Sequence, residues 1–211
     1  WNYDMSASLV APTLFEFVRI ELARHIMLDE LDELYGSTLG RQHDFYIYSV
    51  VSKGPDEWID NTDTPEKETM EIIIAQSIRA AWDTLTARYG EYGDSWQWGK
   101  IHTFTLEHPM GGGKILNRLL GLNSKTYGVD GSYHTVEPYA YRDNFRVHHG
   151  ASERHIFNTA DWDKSLTVIP TGTSGIPGSP FYLSQTETYV NDGFYSEPFS
   201  EAAVEAAKKH E

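Results

Sequence analysis

The pattern of apolar residues changes near residue 96, and this change limits the folds open to the chain. Before it, apolar side chains recur every three or four residues over long stretches, as in amphipathic helices. After it, short aromatic and β-branched runs alternate with Gly and Pro turns, as in strands. We therefore predict an α+β fold. We assign residues 1–120 to a helix-rich segment and residues 121–211 to a β-rich one.

The first predicted helix covers residues 6–35. Ser6 or Ser8 can accept hydrogen bonds at its start, and Pro12 is tolerated in its first turns because its missing N–H has no partner there. Gly36 is expected to end it. Its apolar arc is broad, so we expect burial on more than one side.

A second helix is predicted from Thr64 as cap and Pro65 as first helical residue to Gly90, which closes it. Its expected apolar stripe consists of Met70, Ile74, Ile78, Ala81, Leu85 and Tyr89. Residues 45–51, between the two helices, have strand-like composition but fit a buried helix equally well. Residues 53–55, Lys-Gly-Pro, end that segment in either case.

The second segment is predicted to contain short strands and a terminal helix. The expected strands are residues 133–136, 145–147, 155–157 and 166–169, with another short strand at 188–190 running into a turn at 191–193. The terminal helix should run from Ser200 to about His210. Glu201 at its start and Lys208 with Lys209 at its end suit the helix dipole.

Composition excludes several kinds of function. The formal net charge of −14 argues against nucleic acid and against anionic membrane surfaces, both of which need a basic protein face. No apolar run approaches the ~18 residues of a membrane-spanning helix. The chain has no cysteine, which excludes disulfides, thiol nucleophiles and Cys-ligated zinc but leaves the compartment open.

Residues 172–175, Gly-Thr-Ser-Gly, superficially resemble a nucleophile elbow. The Gly-x-Ser-x-Gly pattern requires glycine at position 176, where Ile176 stands. Ser174 and Ser179 are therefore interpreted as loop hydroxyls that bind nearby backbone. Residues 111–114, Gly-Gly-Gly-Lys, fail as a phosphate loop because Ile115 replaces the Ser or Thr that would bind Mg²⁺. We expect a turn before the 115–120 helix.

Histidines offer two candidate metal sites: His148 and His149 with His155, or His102 with His108. Neither group has zincin or calcium-loop spacing, and His148 and His149 would point to opposite faces of a strand. We predict structural histidines and no metal or cofactor.

Arg154 precedes a predicted strand, where its guanidinium could pair with a carboxylate and join sheet to loop. The functional alternative is that it positions an active-site wall. Trp96, Trp98 and His102 are interpreted as core and interface packing, although an aromatic cluster could also line an acyl pocket.

Residues 165–182 join an apolar run to a Gly-, Ser- and Pro-rich loop, and Gln185 and Gly193 follow. This order resembles the C-terminal part of the penicillin acylase (penicillin amidase) family of N-terminal-nucleophile hydrolases. Phe181, Ser184 and Tyr189 depart from the family's usual His, Asp and Trp. Further similar segments occur in the family's order: residues 1–15, 96–102, 108–109, 131–136, 145–146 and 150–156.

The resemblance implies part of an αββα sandwich and a parent enzyme that hydrolyses linear amides, releasing an acyl group from an amine such as a β-lactam nucleus, as in antibiotic biosynthesis, or a homoserine lactone. Family members attack with the side chain of the first residue of the mature β chain, and Trp1 has no nucleophilic atom. The nucleophile and the oxyanion-hole Asn are therefore expected upstream of Trp1.

This chain is then a scaffold, the C-terminal portion of the β chain, with no catalytic residue and no assigned substrate-binding residue, and the isolated chain should be inactive. Its implied partners are the α chain, the N-terminal part of the β chain and, for the isolated fragment, itself; the implied location is periplasmic or extracellular. The rival interpretation is a free-standing, non-catalytic binding module of the same fold. A serine behind a processing site upstream of Trp1 would distinguish the two.

Overall fold

The computed structural model describes residues 3–31, 43–54, 58–133, 135–141 and 144–208. Contacts divide the chain into two compact units. The first consists of Trp1–Asp4 and Ser8–Lys100, and the second of Met5–Ala7 and Ile101–Glu211. The described helices and small antiparallel sheets confirm the α+β class. The division into segments at residue 120 stays a prediction.

The first unit is helical. Its long helices are α1 (Ala11–Leu31), α2 (His43–Lys53) and α3 (Met70–Tyr89), followed by a 3₁₀ turn (Asp94–Trp96) and the start of the short helix α4 (Trp98–Ile101). Helix α1 packs against α2 and α3. The apolar core of this unit consists of Ala23, Ile26, Met27, Ile47, Val50, Ile59 and Ile73.

Helix α1 begins later than the sequence predicted. It starts at Ala11, so the proposed capping residues Ser6 and Ser8 lie before it and do not cap it. Pro12 does lie in the first turn. The predicted end at Gly36 falls outside the described residues.

Residues 45–51 are helical, which decides between the two alternatives left open above. Ile47 and Val50 are buried in the core, and the N–H of Gly54 donates to the Val50 carbonyl as α2 ends. Pro55 lies outside the described residues.

The predicted start of α3 at Thr64 is wrong. The Thr64 hydroxyl has its one proton within hydrogen-bond distance of the Asn61 and Glu66 carbonyls and the Glu68 carboxylate, so it stabilises a turn and the helix begins at Met70. Its end is confirmed. Gly90 has a φ of +82°, and its N–H donates to the Thr86 carbonyl.

The buried face of α3 also differs from the predicted stripe. Ile74 and Ile78 are exposed, whereas Ile73, Ser77, Ala81 and Leu85 are buried. This helix has apolar residues on two faces. The face containing Ser77 can be buried because the Ser77 hydroxyl donates to the Ile73 carbonyl at 2.7 Å.

The second unit holds the strands, all in antiparallel ladders. One pair joins β1 (Thr103–Phe104) to β2 (Tyr127–Gly128), and another joins β3 (Ala140–Tyr141) to β4 (Val147–His149). A three-stranded sheet has the order β5 (Arg154–Ile156), β6 (Ser165–Val168) and β7 (Tyr195–Glu197). A 3₁₀ turn (Trp162–Lys164) precedes β6. The helices of this unit are α5 (Lys114–Leu120), α6 (Thr186–Val190) and α7 (Glu201–Ala207).

An aromatic core lies beneath these strands, formed by Phe104, Val129, Tyr139, Val168 and Tyr189. The early residues Met5–Ala7 belong to this unit as well. The Ala7 N–H donates to Asp130 Oδ1 at 2.6 Å, and the Gly131 N–H donates to the Met5 carbonyl at 3.1 Å.

The strands predicted at 155–157 and 166–169 exist with a shift of one residue, and the prediction at 145–147 overlaps β4. The strand predicted at 133–136 is wrong. The Thr135 hydroxyl accepts from the Ser132 N–H and donates to the Glu137 carbonyl, which folds this segment into a turn. His134 lies outside the described residues. The strand predicted at 188–190 is also wrong, since these residues lie in α6.

The terminal helix and its start are confirmed as α7, but the helix ends at Ala207, earlier than predicted, with Lys208 just outside it. Ser200 caps it by accepting from the Ala203 N–H at 3.2 Å, and Glu201 lies in its first turn. Lys209 and His210, placed at its predicted end, fall outside the described residues. Across the part of the chain that the structure describes, no helix has both the length and the apolar character needed to cross a membrane.

Candidate functional site

The second unit contains an open groove of about 530 Å³. One wall is formed by β1 and the residues after it, 103–107. The other wall is formed by Arg146, β4 and the following turn, 146–152. Pro170 and Tyr189 also line the groove, so the aromatic core reaches its surface.

The two walls meet at one end. His102, just before β1, has its Nδ1 3.0 Å from the Phe145 carbonyl oxygen. Because a carbonyl oxygen only accepts, Nδ1 of His102 carries the proton. The next residues along each wall, Thr103 and Arg146, form an isolated parallel bridge. Beyond this bridge the two walls continue along opposite sides of the groove.

A sharp backbone turn directs the second wall. Phe145 has a φ of +59°, in the left-handed region that residues other than Gly rarely adopt, and its side chain is buried. Burial of the ring and the hydrogen bond from His102 both favour this conformation.

An ion pair joins the two walls. Arg146 Nη2 lies 3.0 Å from Glu107 Oε1, and both side chains are more than half exposed. Pairs this exposed contribute at most about 1 kcal/mol because water and salt screen them. The pair can therefore open at little cost.

Arg154 stabilises the second wall of the groove through its contacts with Tyr189. Its Nη1 donates to Asp192 Oδ1 at 2.7 Å and its Nη2 to the Tyr189 carbonyl at 2.6 Å, while the guanidinium lies 4.1 Å from the centre of the Tyr189 ring. The Tyr189 hydroxyl in turn donates to the Ala151 carbonyl at 2.6 Å, in the second wall. This confirms the predicted pairing of Arg154 with a carboxylate. Burial disfavours the charged form of Arg154 and by itself would lower its pKa. The hydrogen bonds of the guanidinium outweigh burial, so the pKa of Arg154 is raised.

Three carboxyl groups meet beside Arg154. Oxygens of Asp130, Glu137 and Asp192 all lie within 4.8 Å of one another. Burial, a hydrogen bond with Asp192 and the negative charges of Asp192 and Asp130 raise the pKa of Glu137 to about 8. At neutral pH, Glu137 is therefore mostly protonated, and Arg154 balances one of the two remaining charges.

These three carboxyls could offer oxygen ligands to a hard cation. The proton on Glu137 and the Arg154 guanidinium already reduce the negative charge that would attract one. The prediction that the chain holds no metal stays a prediction. Sequence reasoning missed the cluster because residues 130, 137 and 192 come from separate turns and share no motif.

Among the described residues, two hydroxyl–histidine pairs resemble a nucleophile with its base. In neither pair is the histidine nitrogen suited to accept the hydroxyl proton. In the first unit, Ser77 Oγ lies 3.2 Å from His25 Nδ1, yet that nitrogen is 2.7 Å from the Glu21 carbonyl and must donate to it. Ser77 itself donates to the Ile73 carbonyl. This histidine nitrogen therefore cannot accept the serine proton.

In the second unit, Thr167 Oγ1 lies 3.4 Å from His155 Nε2. His155 lies between two acids, with Nδ1 3.0 Å from Glu197 and Nε2 3.4 Å from Glu153. The hydrogen bond to Glu197 and the contact with Glu153 raise the pKa of His155. These two carboxylates favour the protonated form of His155, which has no free lone pair to accept the Thr167 proton.

The other residues singled out from the sequence lie apart. Ser174 and Ser179 accept from the N–H groups of Ile176 and Phe181, as predicted for loop hydroxyls. Residues 111–113 form a turn before α5, which confirms that expectation. Trp96 and Trp98 are fully buried in the first unit, as predicted for packing residues.

The histidines considered as metal ligands are not brought together. His148 and His149 lie on β4 in the groove wall, and His155 lies on β5 between its two acids. His102 is buried at the closed end of the groove, and His108 Nδ1 accepts from the Met110 N–H. Among the described residues, groups of three or more close metal-ligating side chains are confined to the cluster of Asp130, Glu137 and Asp192.

Comparison with curated proteins finds longer relatives. An acyl-homoserine lactone acylase, QuiP, of Pseudomonas aeruginosa is 26% identical over 214 residues, which cover 92% of this chain and 25% of the relative. QuiP of Pseudomonas putida is 27% identical, covering 89% of this chain and 24% of the relative. Penicillin acylase 2 proenzyme of Pseudomonas sp. strain SE83 is 27% identical over 53% of this chain and 14% of its own length.

The chain thus spans about a quarter of the length of the QuiP relatives that it matches over most of its own length. The family model for penicillin amidase matches residues 1–206, almost the whole sequence. This match includes both structural units, the groove and the Arg154 network, and by it the chain belongs to the penicillin amidase family.

Proposed function

We propose that this chain is the C-terminal portion of the β chain of an amidohydrolase that cleaves linear amide C–N bonds. The observation that carries the proposal is the family match over residues 1–206. Relatives named as acyl-homoserine lactone acylases and a penicillin acylase support a substrate in which an acyl group is joined to an amine. The amine is a homoserine lactone or a β-lactam nucleus.

Within that enzyme, these residues act as scaffold, and the N-terminal nucleophile lies on another segment of the precursor. The chain's share of its relatives, about a quarter, leaves room for the α chain and the rest of the β chain as partners. The chemistry of the described residues supports the same division. In the Ser77–His25 pair the histidine nitrogen donates to a carbonyl, and in the Thr167–His155 pair the neighbouring carboxylates favour the protonated imidazole.

Amide hydrolysis assays test the proposal. The 211-residue chain and the longer polypeptide encoded with it are incubated with an N-acyl-homoserine lactone and with a chromogenic phenylacetyl anilide. We expect the longer polypeptide to release the amine and the isolated chain to give no turnover, because it lacks the nucleophile.

Turnover by the isolated chain that survives repurification would overturn the scaffold assignment, and Ser77→Ala and Thr167→Val variants would then show whether either hydroxyl is responsible. An inactive longer polypeptide would instead favour the alternative, a non-catalytic binding module of the same fold.

A further inference from the structure

A row of exposed aromatic side chains lies on the second unit, outside the groove. This aromatic row consists of Phe157, Trp162 and Phe199, whose ring centroids follow one another at 6.3 and 5.8 Å. The three residues are 61%, 47% and 73% exposed. At about 200 Å² for each side chain, they leave about 350 Å² of aromatic surface in water. A contiguous apolar patch of this size is typical of a contact site.

Acidic side chains surround the aromatic row. They contact His155, which stacks on Phe157, or lie within two positions of the other two rings, and they are Glu153, Asp161, Asp163, Glu197 and Glu201. Of the described residues beside them, Lys164 and His155 can carry positive charge. Arg154 lies on the opposite face of β5 and binds Asp192 there. The surroundings of the row are therefore net negative, and because aromatic faces also attract cations, both features favour a cationic partner.

The same unit carries a surface of opposite charge. Residues 108–129 contain no acidic residue, in a chain whose formal net charge is −14. Helix α5 lies in this stretch and exposes Lys114 and Arg118 beside the apolar side chains of Ile115 and Leu119. We call these four residues the basic face of α5. Within the part of the chain that the structure describes, neither cation has an ion-pair partner. This face is therefore suited to an acidic and apolar partner.

The loop that carries α5 is fixed from behind. Asn123 Oδ1 accepts from the His108 N–H at 2.9 Å, and the Asn123 N–H donates to Asn117 Oδ1 at 2.8 Å. The Tyr182 hydroxyl donates to the Leu122 carbonyl at 2.8 Å. These bonds join the two ends of the loop to each other and to the loop after β6. The basic face of α5 is therefore held in place before a partner arrives, which lowers the entropy cost of binding.

We propose that the basic face of α5 on one copy of this chain docks on the aromatic row of a second copy. A helix of seven residues is about 10 Å long, which matches a row of at most about 12 Å. Ile115 and Leu119 pack on the rings, while the two cations lie over the ring faces and beside the acids around them. A second copy suits both faces because each copy brings the two complementary charges, and the like-charged faces repel each other. The contact lies outside the groove and does not depend on amide hydrolysis.

Charge reversal followed by sedimentation velocity tests the pairing. The average mass of the parent 211-residue chain should rise with its concentration and fall when salt is added, because salt screens the opposite charges. The double variant Lys114→Glu and Arg118→Glu should weaken association at least about ten-fold, and so should Glu153→Lys with Glu201→Lys. An equimolar mixture of the two double variants should associate again. The mixture brings an unaltered basic face on one copy to an unaltered aromatic row on the other.

A second variant tests the aromatic row without changing any charge. Phe199→Ser removes the most exposed ring of the row and should weaken association at least about ten-fold, because that ring loses its apolar contact. Val136→Ser, at an exposed residue outside both faces, is the matched control and should leave the average mass unchanged. Circular dichroism of each variant verifies that the helices and strands are retained.

Three results would overturn the inference. The first is a parent chain that sediments as a monomer at every concentration tested. The second is association that survives both charge reversals, because other apolar surfaces, such as the exposed face of α3, would then hold the copies together. The third is a pair of folded double variants that stay monomeric when they are mixed, since the two unaltered faces would then have failed to pair.

Discussion

At the scale of single residues, Arg154 joins more parts of the second unit than any motif in the sequence suggested. It lies at the start of β5 and binds Asp192, the Tyr189 backbone and the Tyr189 ring. Tyr189 then holds the groove wall through Ala151. The sequence predicted a carboxylate partner for Arg154 from its place before a strand. The ring and the carbonyl could not be predicted, because residues 188–190 were expected to be a strand rather than part of α6.

Replacing Arg154 with Met should destabilise the chain by about 2 kcal/mol, because it leaves the Tyr189 carbonyl and the Asp192 carboxylate without their donor. The side chain is 21% exposed, so water compensates part of the loss. Urea unfolding measures the effect. Arg79→Met, on an exposed position of α3, is the matched control and should change stability by less than about 0.5 kcal/mol. Equal effects of the two variants would contradict the role given to Arg154.

Glu137 should make stability depend on pH. Its pKa is about 8 in the folded chain and 4.5 in the reference state, so the folded chain binds more protons between these values. Stability therefore falls as pH rises from about 4.5 to 8. Glu137→Gln keeps the neutral form and should gain on the order of 1 kcal/mol relative to the parent chain at pH 8, allowing for the screening of a half-buried group. Urea midpoints at pH 5, 6.5 and 8 measure this, and parallel profiles would refute it.

At the scale of elements, the sequence predicted best where a capping residue acts alone. Gly90 ends α3 and Ser200 starts α7, because one residue in each case supplies the needed conformation or acceptor. The predicted start of α3 at Thr64 was wrong because the Thr64 hydroxyl has local hydrogen-bond acceptors both before and after it in the sequence. Strands of two or three residues, such as β1 and β3, were missed because so short a run carries no periodicity.

The loop after β6 is packed tightly at one glycine and open at another. A Cβ on Gly172 would lie 2.0 Å from the Phe181 carbonyl oxygen, whereas a Cβ on Gly175 would meet nothing within 4 Å. Gly172→Ala should therefore destabilise the chain by about 1–3 kcal/mol, since backbone must move. Gly175→Ala should be neutral within about 0.5 kcal/mol. Thermal unfolding of the two variants decides the matter, and a neutral Gly172→Ala would show that the loop adjusts freely.

At the scale of the whole molecule, each unit exposes apolar side chains. In the first unit, Ile74, Ile78 and Trp82 follow one another at helical spacing along α3 and are exposed. In the second unit, α5 buries none of its residues, and Ile115 and Leu119 are 80% and 75% exposed. Faces of this kind are typical of surfaces that contact other polypeptide.

We expect the isolated chain to self-associate through such faces. The double variant Ile115→Ser and Leu119→Ser should lower the average mass measured by sedimentation velocity, because it removes the apolar surface of α5. Ile176→Ser, at an exposed residue in the loop after β6, is the control and should leave the mass unchanged. A parent chain that sediments as a monomer at all accessible concentrations would count against this expectation.

The position of Met5–Ala7 determines when the second unit can be completed during synthesis. These residues are synthesised well before their partners Asp130 and Gly131, because Asp130 lies 123 positions after Ala7 in the sequence. The segment that forms the first unit lies between them in the sequence. A nascent chain halted after residue 100 therefore lacks the partners of Met5 and Ala7, and the second unit can close only after Gly131 has been synthesised.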